Sequence, residues 1–326
     1  MVDTARHMNG HRRSANGAHI IGFPQKVAGI GVLLEGFLYN LEAEGKSPTT
    51  IDSYGQAVRR FLKTVNPLTI TDAGQITKDH VRAFLAQLRQ DGCVAVTCRS
   101  YLVALGLFFK WLLAEGLLEH NPCDGIKLPR PDRKTKKGLT MDQVRDLLKV
   151  VQNETDGAKA LRDQLVIMLL ADCGIRASEL CDLDLADVDT ERLEINIRQG
   201  KGRKQRRVAF GKRTRTAIWS YVKLIRGERP GPFIQGMRGQ PLCRTSLAHI
   251  LNKLAQATDW PDKAAGPHKF RRLFAVESLR AGLDPFRVQL LLGHEKLDMT
   301  RLYAQELNLD DAIEAQRKAS ISDRLK

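Results

Sequence analysis

Between residues 29 and 113 the apolar side chains recur at three- and four-residue spacing, the signature of helices with one buried face. Residues 29–45 carry the first such run. Ser47-Pro48-Thr49-Thr50 opens a second, with proline at an early position and Tyr54, Val58, Phe61 and Leu62 at helical spacing behind it. Thr77 precedes a third run, which carries His80, Val81, Phe84, Leu85 and Leu88. Thr97 to Leu113 holds a fourth, with Leu102, Leu105, Phe108, Phe109 and Leu112 on one stripe. No strand pattern competes, so residues 28–128 are expected to form a four-helix domain.

Further along, the pattern changes. Thr140–Val151 opens on a cap-like threonine and reads as helix. Leu161–Cys173 is apolar nearly all round and predicts a buried helix ended by Gly174. Leu193 to Arg198 alternates strictly, a strand signal, and Arg206–Phe210 is the return strand. The Gln199-Gly200-Lys201-Gly202 turn between them places Lys201 at a β-hairpin tip. From Arg213 on the chain reads as mostly helical, with a Gly/Pro-rich loop at Gly227–Gly239. Gly293 reads as a helix C-cap and Asp298 as the N-cap of a short helix carrying Tyr303. Between the two patterned segments, residues 129–138 (PRPDRKTKKG) are rich in Pro and Lys and poor in apolar side chains. They read as an exposed basic linker, with a catalytic-sized domain at 139–326 behind it and a flexible arm at 1–27 ahead. The expected fold is mainly α with a small β-sheet.

Charge narrows the function. The 326 residues hold 52 Lys and Arg against 37 Asp and Glu, a net charge of +15, and a protein this basic usually meets a polyanion such as nucleic acid. Residues 28–128 balance at ten and ten, whereas the linker has five basic residues (Arg130, Arg133, Lys134, Lys136, Lys137) against one acid. No apolar run is expected to reach the roughly 18–20 residues of a membrane span. The N-terminus has no apolar core behind its basic residues, so it is not a secretory signal. Six cysteines without a C-x-x-C pair, most among apolar neighbours, suggest reduced core thiols and a cytoplasmic protein.

Three short segments could carry chemistry. His268 and Arg271 lie three apart at the start of a helix behind Pro267, so they share a face and make a natural phosphate site or a solvated basic turn. Arg176 sits between two apolar segments, where a guanidinium needs a partner. That partner is either Glu179, three residues on, or a ligand phosphate with Glu179 holding the guanidinium. His294 follows a helix cap, and Tyr303 lies nine residues beyond it. Asp182, Asp184, Asp187 and Asp189 read as turn and cap residues before they read as Mg²⁺ ligands. No metal cage and no ATP-binding loop is indicated, so no cofactor is expected.

Together these segments resemble the tyrosine recombinase (phage integrase) family, closest to its Xer-like branch. That family runs in order through an Arg in G-[IL]-R-x-S-E-L, a Lys in G-K-G-x-K on a hairpin, H-x-x-R, L-L-G-H and a Tyr. This chain supplies Arg176 in GIRASEL, Lys201 in GKGRK, His268 and Arg271 in HKFR, His294 in LLGH, and Tyr303. Arg272 departs from the pattern, since relatives often have His there. The resemblance implies a SAM-like core-binding domain followed by an α+β catalytic domain. It implies a site-specific recombinase that cuts DNA through a 3′-phosphotyrosyl link on Tyr303 and exchanges strands through a four-way junction.

It further implies that Arg176 and Arg271 clamp the phosphate, with Glu179 supporting. His268 would carry the tyrosine proton, Lys201 would protonate the leaving 5′ oxygen, and His294 would hold a phosphate oxygen or orient Tyr303. Arg203, Lys204 and the basic linker would meet the double-stranded DNA backbone. Relatives act as tetramers on two sites, sometimes with a related recombinase or accessory proteins. The tail, with Leu309, Ala312 and Ile313 on one stripe, would dock on a neighbouring protomer or pack on its own. A type IB topoisomerase and a non-catalytic DNA-binding protein are the rival readings.

Overall fold

A computed structural model describes residues 30–65, 72–127, 138–198, 205–294, 300, 303–304, 307, 311–313 and 317. The arm at 1–27, Arg130, Arg133, Lys134, Lys136 and Lys137 of the linker, the hairpin-tip residues Lys201, Arg203 and Lys204, and Asp298 and Leu309 lie outside the described residues. The chain divides into two compact units, Met1–Lys134 and Thr135–Lys326.

Among the described residues the first unit holds four α-helices, α1 (Ile30–Ala43), α2 (Pro48–Thr64), α3 (Lys78–Gln90) and α4 (Ala95–Ala114). Ser47 caps α2 by accepting from the Thr50 amide, with Pro48 at the first turn, where its missing N–H costs nothing. The stripes read from the sequence close into one core of Phe37, Val58, Phe61, Phe84, Leu88, Leu105, Phe108 and Leu112. Its rings meet edge to face, as between Phe61 and Phe109 at 5.8 Å. α4 begins two residues earlier than expected and exceeds the expected limit on apolar length. By length and composition alone its 20 residues could cross a membrane. Leu105, Phe108, Phe109 and Leu112 are nonetheless spent on the core, at zero exposure.

The second unit packs α5 (Met141–Gln152), α6 (Gly157–Cys173), α7 (Ala177–Cys181), α8 (Lys212–Tyr221), α9 (Arg244–Gln256), α10 (Pro267–Arg280) and α11 (Pro285–Leu292) around a three-stranded antiparallel sheet. The sheet runs β1 (Val188–Asp189), β2 (Glu194–Ile197), β3 (Arg206–Ala209), with Ile195 opposite Val208 and both buried. β1 leaves no mark in the sequence, because two residues are too few for an alternation to show. The alternation takes in Leu193 as strand, but its φ of +60° puts it in the turn instead. α6 is buried along most of its length, with Leu165, Val166, Leu169 and Leu170 inaccessible, and it ends at Gly174 as expected. The acidic cluster does turn and cap work. Asp187 accepts from the Asp184 amide, and Asp189 accepts from the amides of Glu191 and Arg192. Cys243 is exposed, so it is not a core thiol.

Candidate active site

Two helix ends aim at one place. α6 stops at Gly174 (φ +56°), where a Cβ would sit 2.4 Å from a carbon of the Phe274 ring. Only glycine allows both the left-handed turn and that approach. The next residue, Ile175, is fully buried and pins the chain, so Arg176 emerges extended at the start of α7. α11 stops the same way at Gly293 (φ +63°), against the Arg206 side chain.

The end of α11 then supplies three consecutive carbonyls to three arginines. Arg206 Nε donates to Leu291 O at 2.7 Å, Arg271 Nη2 to Leu292 O at 2.6 Å, and Arg176 Nη2 to Gly293 O at 2.8 Å. These carbonyls lack helical partners and sit at the negative end of the helix dipole, so they attract cations. Arg271 Nη1 also donates to Gly174 O at 2.9 Å, which ties α10 to the end of α6. The L-L-G segment therefore works through its backbone.

Glu179 is the counter-charge. Its Oε2 accepts from the Arg176 amide at 2.7 Å, its Oε1 from Arg176 Nη1 at 2.7 Å, and Arg206 adds a two-pronged pair at 2.9 and 2.7 Å. Burial pushes the Glu179 carboxyl up, but hydrogen bonds from Arg206 and Arg176 outweigh it and hold the group at about 2. Burial first, and then the charge of Arg176, pulls the Arg271 guanidinium down to about 10, so it stays charged at neutral pH. Three guanidiniums against one carboxylate leave the site two charges positive, which suits an anion. Arg176 and Arg271 each use two of the five N–H groups of a guanidinium on these partners, so each keeps others for a ligand.

His294 is buried beside them. Its Nδ1 lies 3.0 Å from Thr300 Oγ1, and its Nε2 is buried with no hydrogen-bond partner among the described residues. Burial first, and then the charges of Arg271, Arg176 and Arg206, pushes this imidazole down to about 4. Tyr303 packs over Ala275, Leu279, Val288 and Leu292. Its ring centroid is 5.9 Å from that of His294 and 5.6 Å from the Arg272 guanidinium carbon. The ring thus lies between an imidazole and a cation, a contact of the kind worth about 0.5–2 kcal/mol.

The structure therefore brings together Arg176, Glu179, Arg271, His294 and Tyr303. His268 is exposed one turn before Arg271 on α10, and no hydrogen bond ties it to the cluster among the described residues. Both partners weighed for Arg176 fit, since the Glu179 pair is present and donors remain. Sequence reasoning missed Arg206, Thr300 and the contact of Arg272 with the nucleophile candidate. A signal for Arg206 existed. Strand alternation puts it on the same face as buried Val208, and an inward arginine needs a carboxylate.

The chain is similar to known proteins over most of its length. Residues 137–309 match the Phage integrase family, and residues 33–118 match its N-terminal SAM-like domain. The tyrosine recombinase XerD of Mycobacterium tuberculosis is 33% identical over 84% of this chain and 93% of its own. XerA of Thermococcus kodakarensis is 31% identical over 90% and 97%. XerC of Bacillus licheniformis is 33% identical over 79% and 86%. The fold is shared with a Tn1549 transposon integrase solved with circular intermediate DNA (TM-score 0.68, 18% identity, 88% of this chain and 99% of that one). It is shared also with a lambda integrase tetramer solved on a Holliday junction (TM-score 0.72, 17% identity, 87% and 80%). The chain belongs to the phage integrase family and is a tyrosine-type site-specific DNA recombinase.

Proposed function

We propose that Tyr303 is the nucleophile and that Arg176 and Arg271 hold the scissile phosphate for it. The phenolic oxygen attacks phosphorus, a P–O(Tyr) bond forms, and the bond to the 5′ oxygen breaks. The product is a 3′-phosphotyrosyl link and a free 5′ hydroxyl. The phenol proton passes to His268, and Lys201 gives the leaving oxygen its proton, so the step balances without a metal or nucleotide. Rejoining is the reverse reaction with a partner strand's hydroxyl, because the phosphodiester energy is kept in the link.

Two features support these roles. Tyr303 lies in the same chain beside His294, which is itself surrounded by Arg271, Arg176 and Arg206. That cluster has two more positive charges than negative ones, and arginine forks match phosphate oxygens. Charge preorganised at a developing oxyanion is worth about 3–4 kcal/mol per donor. We place Arg130, Arg133, Lys134, Lys136, Lys137, Arg203 and Lys204 on the DNA backbone, where each neutralised phosphate adds salt-dependent affinity. Strand exchange needs two sites brought together, which favours a tetramer on double-stranded DNA. In the tail, Ala312 and Ile313 are exposed while Asp311 pairs with Arg280 at 3.2 Å, which leaves these two apolar side chains for docking on a neighbouring protomer. The thiols fit a reducing, DNA-containing compartment such as the cytoplasm.

A nicked duplex that loses its 5′ fragment after cutting traps the intermediate. Wild type is expected to give a protein–DNA adduct on a denaturing gel, and Tyr303→Phe to give none while still shifting the duplex on a native gel. An adduct of normal yield from Tyr303→Phe would overturn the assignment.

A further inference from the structure

Given that this cluster holds the scissile phosphate, we propose that Thr300 is a positioning residue. It donates its hydroxyl proton to His294 Nδ1 and so fixes the ring proton on Nε2, facing a phosphate oxygen. A neutral imidazole has one N–H and one lone pair, and which nitrogen carries the proton is set by what the other one meets. The cationic, buried surroundings keep His294 neutral at pH 7, so the choice of tautomer is real. A charged ring would carry both protons, and Thr300 would decide nothing.

The geometry specifies the choice. Thr300 is fully buried, His294 is 6% exposed, and Oγ1 lies 3.0 Å from Nδ1. Gln289 grips the backbone on both sides of the ring. The His294 amide donates to Gln289 O at 3.1 Å, and Gln289 Nε2 donates to His294 O at 3.0 Å. The Tyr303 ring covers one side at 5.9 Å. The ring is therefore set by its neighbours, and only the proton can move.

Two arrangements remain. If Nδ1 donated to Thr300, Nε2 would present a lone pair, which repels an anionic oxygen. If Thr300 donates to Nδ1, Nε2 presents an N–H. A phosphodiester oxygen has no proton to give near neutral pH, so only the second arrangement matches the ligand. An unpaired buried donor is destabilising, a cost relieved when an acceptor enters. His294 Nε2 is such a buried atom without a partner among the described residues. Among the described residues, the charged and titratable groups around the ring are Arg176, Arg206, Arg271 and Tyr303, and none of them hydrogen-bonds to Nε2.

Thr300→Val keeps the shape and removes the hydroxyl, whereas Thr300→Ser keeps the donor. Cleavage of the nicked duplex is expected to fall about 10- to 100-fold in Thr300→Val, the usual cost of losing a histidine's outer partner. Thr300→Ser is expected to restore it to within about threefold, with duplex affinity matching wild type in both and a melting temperature lower by a few degrees in Thr300→Val, which leaves His294 Nδ1 unpaired. Nitrogen-15 spectra of histidine-labelled wild type, with His294 assigned by His294→Gln, are expected to show Nε2 protonated and Nδ1 bare. A protonated Nδ1 in wild type, or full activity in folded Thr300→Val, would overturn the proposal. The spectra read the tautomer whether or not Tyr303 proves to be the nucleophile, so the two readings fail separately.

Discussion

Burial makes single side chains of the candidate site sensitive to pH. The folded-state value of His294, about 4, lies below the ordinary histidine value of about 6.5. Between those limits the unfolded chain binds a proton that the folded chain refuses. Folding stability therefore falls as pH drops from about 6.5 to about 4, by at most about 3 kcal/mol from this residue. Glu179, held at about 2, adds a loss of the same sign at lower pH, below the ordinary carboxylate range. Chemical denaturation at pH 7 and pH 4.5 is expected to show a smaller acid loss in His294→Gln than in wild type. An equal loss in both would contradict the burial argument. At this scale Arg176, Arg271, His294 and Tyr303 are legible because their types and order are unusual. Arg206 is not, because GKGRKQRR offers several basic residues and only the pleat of β3 shows which one turns inward. Thr300 is silent because a buried threonine looks like any helix-start residue until its hydroxyl is seen beside Nδ1.

Elements set the placement, and the ends of α6 and α11 matter most. Both stop on left-handed glycines, and their last carbonyls hold Arg176, Arg206 and Arg271. Gly174→Ala puts a Cβ at φ +56° and 2.4 Å from Phe274. The left-handed penalty of about 1–2 kcal/mol adds to overpacking of about 1–3 kcal/mol. Thermal unfolding is expected to show a drop of roughly 4–20 °C, and trapped adduct should fall with it. A variant as stable and active as wild type would mean the helix end has another way to close. Helix stops are readable from the sequence because glycine leaves a mark. That three arginines converge on consecutive carbonyls is not, since backbone oxygens are the same at every position.

The whole molecule is a strongly basic chain of two units acting on a polyanion. Replacing Lys134, Lys136 and Lys137 with Gln is expected to lower the steepness of log affinity against log salt. The slope should drop by about 0.9 for each phosphate no longer neutralised, up to ~3 in all. An unchanged slope in titrations between low and moderate salt would remove the linker from the interface. The two-unit plan is legible because periodicity and charge both change near residue 130. The membrane-length apolar stretch of α4 is easily underestimated, because its charged residues interrupt the run without breaking the helix.

In the proposed mechanism one subunit supplies both the nucleophile and the arginines that hold its phosphate. The direct measurement mixes Tyr303→Phe protein with Arg176→Ala protein on the nicked duplex under conditions where wild type alone forms adduct. No adduct is expected, since neither chain has a complete site. A covalent product from the mixture would show that the tyrosine crosses to a neighbour's arginines, contrary to the arrangement described here.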